Sequence, residues 1–475
     1  MNATPETLIK GTPYAHQLAA YDFALKIFEH SPGVALLMEM GTGKTITSIA
    51  VAGALFKMGK ISRVLIVAPL SILGVWESEF EKFAAFPYEL SVLDEKSLER
   101  KSDKLRRLNS TQALMVAVVN YESAWRMEAE ILEWKPNLII ADEGHKIKTH
   151  NTAASKAMHK LSTRARYRLL LTGTLITNKA LDVFSQYKFL NPAVFGQSFY
   201  TFRGKYFNMV GYGKHMPVLK KSMEPELMSK IHSIAFRVTK EECLDLPETT
   251  DIVRFVTLEN EAVRVYKDLV TECYAELKRG EITVTNVLTK MLRLCQLTGG
   301  FVKSDDKSKS VPISHAKLNV LDDLIDSAAA ENGKVVVIAR FLPEIDAISK
   351  MLNDRGIQHA IITGDVKDRD AEVKVFQTNP DVTVFIGQIQ TAAMGITLTA
   401  ASTMVFYSLD YSMSNYEQAR ARIHRVGQKN ACTYIHLIAK STIDEKILKA
   451  LRDKSDLAQT LIDDYRQRGI NPFEF

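Results

Sequence analysis

Short apolar runs rich in branched residues punctuate the first part of the chain, at 34–38, 64–68, 114–119, 138–141 and 167–171, with helical stretches between them. Runs apolar at every position, rather than at alternate ones, fit strands covered on both faces, and five buried parallel strands are the simplest account. A long stretch, residues 180–315, has helix-like periodicity and no comparable series of strands. The pattern then resumes at 334–339, 359–362, 382–386, 403–407 and 433–437, so one α/β sheet domain is followed by another. Pro247 marks the best hinge, over 245–250, because proline interrupts helix and favours extended chain. After Ser441 the spacing predicts a helix, with Thr442 and Asp444 as caps and Ile447, Leu448 and Leu451 as its apolar stripe. The polar segment 303–309 reads as a loop, and neither an internal repeat nor a low-complexity segment is found.

A length of 475 residues gives two to three domains, and 46% apolar residues suffice for sizeable cores. Disulfide scaffolds and disordered chains are thereby excluded. Charge adds little: 61 Lys and Arg against 55 Asp and Glu leaves +6, which permits a polyanionic partner without demanding one. The cysteines, Cys243, Cys273, Cys295 and Cys432, show no paired spacing for zinc or disulfides, so a reducing compartment is expected. No apolar stretch approaches the roughly 20 residues of a membrane span, and the polar first ten residues, broken by Pro5, do not read as a secretory leader. A soluble intracellular protein is expected.

Three segments carry chemistry. The first, MEMGTGKT over 38–45, follows an apolar strand and opens a helix. Gly41, Thr42 and Gly43 let backbone amides turn toward phosphate oxygens, Lys44 reaches the β and γ phosphates, and the Thr45 hydroxyl suits Mg²⁺. The second is LIIADEGH over 138–145, a buried strand ending in two acids, where Asp142 can hold the magnesium shell and Glu143 polarise the attacking water. The third is QARARIHRVGQ over 418–428. Arg422 and Arg425 are three apart, so a helical turn presents both on one face, as two cations for a γ-phosphate must be.

Together with PYAHQ (13–17), VLIVAPLSILGVWESEF (64–80), NYE (120–122), LTGT (171–174) and TAAMGITLTAAS (391–402), these blocks stand in the order found in superfamily-two helicases. The chain resembles their Swi/Snf-type branch of DNA-translocating ATPases, a likeness that HRVGQ and TIDEKIL (442–448) sharpen. It implies an α/β fold of two RecA-like parallel-sheet lobes in tandem, with helical insertions and a C-terminal helical brace. The expected boundaries are 1–240 for the ATP-binding lobe with a protrusion at 180–236, 241–440 for the second lobe with an insertion at 255–315, and 441–475 for the brace. The likeness makes Gln17 the reader of adenine, and Arg422 and Arg425 arginine fingers delivered across the cleft. It places Pro69, Leu70, Ser71, Asn120, Tyr121, Thr172, Gly173 and Thr174 along a sugar-phosphate track in the first lobe, and Thr391 and Gly395 on the second-lobe grip. Short hydroxyl, amide and backbone donors suit such contacts, which fix register without reading sequence. The cationic cluster Arg100, Lys101, Lys104, Arg106 and Arg107 could widen the footprint, although a solvated helix face is the simpler reading.

Three departures stand out: TAAMG (391–395) in place of a glycine-rich loop, Leu175 where proline is usual, and Tyr411-Ser412-Met413 where Trp-Asn-Pro is common. The first resembles the distant subgroup that anneals or remodels forked DNA. With no appended module, the chain reads as close to the minimal motor. The expectation is an ATP- and Mg²⁺-dependent, monomeric translocase on duplex or branched DNA, without sequence specificity or membrane attachment. It would serve replication, repair or recombination, alongside proteins of those processes. Its place would be a nucleoid or viral replication site in the cytoplasm, or a nucleus in a eukaryote. The competing readings are a strand-separating DNA or RNA helicase and a slow nucleotide-gated DNA-binding module.

Overall fold

The computed structural model describes residues 8–173, 180–210, 216–243, 246–279, 284–303, 310–331, 333–366, 368–391 and 396–453. Two compact units divide the chain, Met1–Asp245 and Leu246–Phe475. In the first, β1 (Gly33–Met38), β2 (Arg63–Ala68), β3 (Tyr88–Val92), β4 (Leu114–Asn120), β5 (Leu138–Asp142), β6 (Tyr167–Thr172) and β9 (Ala235–Val238) form one sheet, ordered β3-β4-β2-β5-β6-β1-β9. Every pairing is parallel. A two-stranded antiparallel hairpin, β7 (Phe207–Val210) with β8 (Met216–Leu219), stands apart from it.

The second unit repeats the plan. Its sheet holds β10 (Thr249–Val256), β13 (Val335–Ala339), β14 (His359–Ile362), β15 (Val384–Gln388), β16 (Thr403–Phe406) and β17 (Cys432–Ala439) in the order β10-β17-β16-β13-β15-β14, again all parallel. A small antiparallel pair, β11 (Phe301–Lys303) and β12 (Ser310–Pro312), lies outside the sheet. Central strands such as β1, β5, β6 and β13 are buried at every position. Helices on both faces explain this, and with it the unbroken apolar runs in the sequence. Because the strands point one way, their C-terminal ends gather along one edge of each sheet, where phosphate- and metal-binding loops of α/β folds collect.

The ten strands expected from the apolar runs are all present, with β15 starting two residues late, at Val384. The structure corrects the expectation that residues 180–315 lack strands: β7 to β12 all fall within that span. The added strands escaped because of where they sit. β3, β9 and β10 are sheet edges, and β10, TTDIVRFV, is exposed or half-buried at every position but the last. Strands half open to water carry no continuous apolar run. After Ser441, helix Ile443–Arg452 forms with the Thr442 side chain accepting from the Asp444 amide. The remainder of the expected brace, 454–475, and the polar loop 304–309 lie outside the described residues.

Candidate nucleotide and nucleic-acid site

The phosphate loop leaves the C-terminal end of β1 and enters helix Lys44–Lys57. Gly41 and Gly43 adopt φ of 86° and 91°, a left-handed backbone that favours glycine. A Cβ on Gly43 would come within 2.1 Å of Gln17 Nε2, so the loop also needs its bareness there. Gln17 is buried: its Nε2 donates to the Thr42 carbonyl (3.2 Å) and its Oε1 accepts from the Tyr14 amide (3.0 Å). His16 Nε2 lies 2.7 Å from the same Thr42 carbonyl, and its ring stacks on Tyr14. Two adjacent side chains of the helix Ala15–Ile27 thus hold the outer turn of the loop. The Lys44 ammonium donates to the carbonyls of Met38 (2.9 Å) and Glu39 (3.3 Å), at the mouth of the loop.

Asp142 closes β5, two strands from β1 with β6 between. At about 4.8 Å per strand, that places the acids roughly 10 Å from the phosphate loop, across a gap that one phosphate chain spans. Gly173, following β6, packs against the loop, where a Cβ would lie 3.6 Å from the Glu39 Cα. Asp142 is buried and held on three sides. Trp76 Nε1 donates to Oδ2 (3.0 Å), the Glu143 amide donates to Oδ1 (2.9 Å), and the Tyr121 hydroxyl donates to the main-chain carbonyl (2.7 Å). Burial, reinforced by the Glu143 charge, pushes the Asp142 carboxyl well above the usual range, while Lys44 opposes the shift. Glu143 itself sits at φ 50°, ψ 54°, a left-handed conformation that costs a non-glycine residue on the order of 1 kcal/mol or more. His145 Nδ1 lies 3.2 Å from Glu143 Oε2. Gly144 cannot be larger, since a Cβ would come within 2.4 Å of the Leu170 side chain.

Lys44, Thr45 and Asp142 fit a magnesium nucleotide. Their donors are an ammonium, a hydroxyl and one carboxylate, and Mg²⁺ held largely by phosphates and water needs only one or two protein carboxylates. Among the described residues no group of three or more His, Cys, Asp or Glu forms a separate metal site.

The residues expected along the nucleic-acid track divide in two. Leu70 is 65% exposed in the short turn Leu70–Ile72 that starts at Pro69 and contains Ser71. By contrast, Asn120 caps helix Tyr121–Arg126 by accepting from the Ser123 amide, Tyr121 is buried on Asp142, and Thr172 is fully buried at the end of β6. In the second unit the Thr391 hydroxyl bonds the carbonyls of Gln388 (2.7 Å) and Ile362 (3.2 Å). Asn120, Tyr121 and Thr391 thus bond main-chain atoms of their own neighbourhood. Thr174 and Gly395 lie outside the described residues. The cationic helix Leu98–Arg107 is largely committed internally: Lys101 is buried on the Ser123 hydroxyl, Lys104 pairs with Asp94 and Glu95, and Arg106 pairs with Asp103.

Arg422 and Arg425 do not share a helical turn, which corrects the sequence expectation: the helix Met413–Arg420 ends before them and a turn follows. They converge nonetheless, Nη1 of each donating to the Ile396 carbonyl at 3.5 and 3.3 Å. Gln428 knots this turn, its Nε2 donating to the carbonyls of Thr399, Ala401 and Ile423 while Oε1 accepts from the amides of Lys429 and Asn430. The neighbouring Arg420 has a different task, a two-pronged pair with Asp251 of β10 that also stacks on Tyr434.

A family model described as the SNF2-related domain matches residues 16–299, and the helicase conserved C-terminal domain matches 316–427. The chain belongs to the SNF2-related family. Its core is accordingly of the Swi/Snf type within helicase superfamily two. Among its relatives, "DNA repair and recombination protein RDH54" of Saccharomyces cerevisiae (strain JAY291) is 28% identical over 92% of this chain and 52% of that protein. "Chromodomain-helicase-DNA-binding protein 1-like" of Danio rerio is 25% identical over 95% of this chain and 44% of that protein. The chain thus spans about half the length of the curated relatives it matches. A solved structure, "Sulfolobus solfataricus SWI2/SNF2 ATPase core in complex with dsDNA", has 25% sequence identity and a TM-score of 0.48, covering 99% of this chain and 96% of that one.

Sequence reasoning passed over Trp76, His16 and His145 in this SNF2-related core. Trp76 stood inside the recognised block 64–80 with nothing to single it out, and its partner lies 66 residues further on. The signals for the two histidines were their places beside Gln17 and Glu143, inside blocks already recognised.

Proposed function

We propose that the chain is an ATP-driven motor that tracks along duplex DNA, remodelling forks, branches or bound proteins. The observation that carries this reading is the position of the glycine-rich loop and the acid pair at the ends of two strands of one sheet with a single strand between them, within an SNF2-related chain that has a second such sheet. Lys44 and the loop amides bind the phosphates, Gln17 faces the base, and Thr45 with Asp142 would hold Mg²⁺. When bound, that ion neutralises phosphate charge. Glu143 takes a proton from the attacking water at its carboxylate. Arg422 and Arg425 neutralise charge on the γ-phosphate, so turnover requires the two units to close, and closure moves one DNA grip relative to the other. Pro69, Leu70, Ser71 and Gly173, on the frame kept by Asn120, Tyr121 and Thr172, with Thr391 in the second unit, serve the sugar-phosphate track. The relatives named for DNA repair and recombination support a role in those processes.

ATPase measured with single-stranded, duplex, forked and four-way DNA tests the reading. Duplex or branched DNA should stimulate hydrolysis, and Lys44→Ala and Glu143→Gln should abolish it. Equal activity without DNA, or activity surviving both substitutions, would sink the proposal. Triplex displacement without fork unwinding is the expected mechanical signature; robust unwinding would make the protein a strand-separating helicase instead.

A further inference from the structure

Two of the three first-unit segments assigned to the DNA track each lead straight to Asp142, the proposed magnesium ligand. From the turn at Pro69–Ile72, where Leu70 is exposed, the chain enters helix Leu73–Phe83, whose Trp76 is 1% exposed and bonds Asp142 Oδ2 at 3.0 Å. From Asn120 it enters helix Tyr121–Arg126, whose first residue bonds the Asp142 carbonyl at 2.7 Å. One aromatic donor fixes the side chain of Asp142 and the other fixes the end of its strand. The next residue is Glu143, held in a left-handed backbone conformation. A strained residue of this kind persists only while its surroundings over-determine it. The clamps on Asp142 are part of that determination.

We propose that Trp76 and Tyr121 are positioning residues through which DNA at the Pro69–Ser71 and Asn120 segments sets the geometry of Asp142 and Glu143. The proposal rests on the DNA-motor reading and adds a route by which DNA accelerates hydrolysis. Both helices begin at the track and are short and stiff, so a shift of either first turn reaches Asp142 through one buried side chain. Tyr121 therefore serves the track through its hydroxyl on β5 rather than by touching the nucleic acid.

Fluorescence of the full chain tests this without turnover. In a Trp125→Phe/Trp134→Phe background Trp76 is the sole tryptophan of the 3 in the sequence, and excitation at the red edge of tryptophan absorption avoids the tyrosines. Duplex DNA, added without nucleotide, should change its emission. Labelled-duplex anisotropy in the same samples separates the two readings: no DNA binding overturns both, and binding with unmoved emission overturns this one alone. In kinetics, Trp76→Phe and Tyr121→Phe should each lower the ratio of DNA-stimulated to basal kcat about tenfold, within the usual range of coupling between sites. The DNA concentration for half-maximal stimulation should stay within about twofold. Tyr121→Phe removes only a hydroxyl and so guards against misfolding. A fall of basal and stimulated rates in equal proportion would mark a merely structural role and overturn the proposal.

Discussion

Single side chains in this protein are tuned by burial, and the tuning has measurable signs. Burial holds the His159 ring, whose Nε2 lies 2.9 Å from the Ser185 carbonyl, down to about 4. A histidine neutral in the fold but free to protonate when unfolded costs stability as pH falls from about 6.5 to 4, on the order of 3 kcal/mol for such a shift. Burial lowers His436 in the second unit too, its ring stacked on Phe406. The buried acids Asp142 and Glu344, raised to about 7, act in the opposite sense over this range, so the check is a difference: in denaturant melts His159→Gln, which keeps a donor for Ser185, should gain stability relative to the parent protein as pH falls from 6.5 to 4. At Gly43 the constraint is geometric: with φ at 91° and Gln17 at 2.1 Å from a would-be Cβ, Gly43→Ala should cost about 1–3 kcal/mol in thermal melts. Titration with a fluorescent nucleotide should show at least about tenfold weaker binding, since tenfold is 1.4 kcal/mol. Lys44 and the Asp142–Glu143 pair could be singled out in the sequence because each stands within a few residues of the end of an apolar run. Trp76 was not, because a tryptophan on an amphipathic helix reads as core until its indole N–H is seen to have a distant partner.

At the level of elements, helix Ile443–Arg452 docks on the second unit through a buried ion pair. Lys317 Nζ lies 2.6 Å from Asp444 Oδ2, which also accepts from the Ala439 amide, while Oδ1 accepts from the Thr298 hydroxyl. Removing one partner strands a buried charge, so Lys317→Met should destabilise by about 3–5 kcal/mol, whereas adding Asp444→Leu should recover much of the loss. Chemical denaturation of both variants checks this. Capping was readable in the sequence, as Thr442 shows; the ion pair was not, because 127 residues separate its members. The arginine turn teaches a similar lesson. Spacing of three named Arg422 and Arg425 as a converging pair, but what brings them together is the Ile396 carbonyl and the Gln428 knot, contacts that no helical period encodes.

At the scale of the whole molecule, two hydrophobic cores share no residue: the first ends at Val238 and the second begins at Val256. Calorimetry should resolve two transitions, with Lys317→Met lowering one and Gly144→Ala, which forces a Cβ against Leu170, lowering the other. A single transition moved by both substitutions would contradict this. The tandem plan was legible because central strands advertise themselves as apolar runs, while the edge strands β3, β9 and β10, half open to water, did not. One of those edges bears on how the chain is made. β10 opens the second unit, yet among the described residues its sole sheet partner is β17, with Thr249 opposite Cys432 and Val256 opposite Ala439. During synthesis from the N-terminus the first unit has its whole sheet by Val238, while the second must wait for nearly its last strand before its first can pair. Ribosome-bound chains stopped near residue 420 should therefore display a protease-resistant first unit and a second unit still open to cleavage. The order of chain growth would thus form the nucleotide-binding unit before its counterpart.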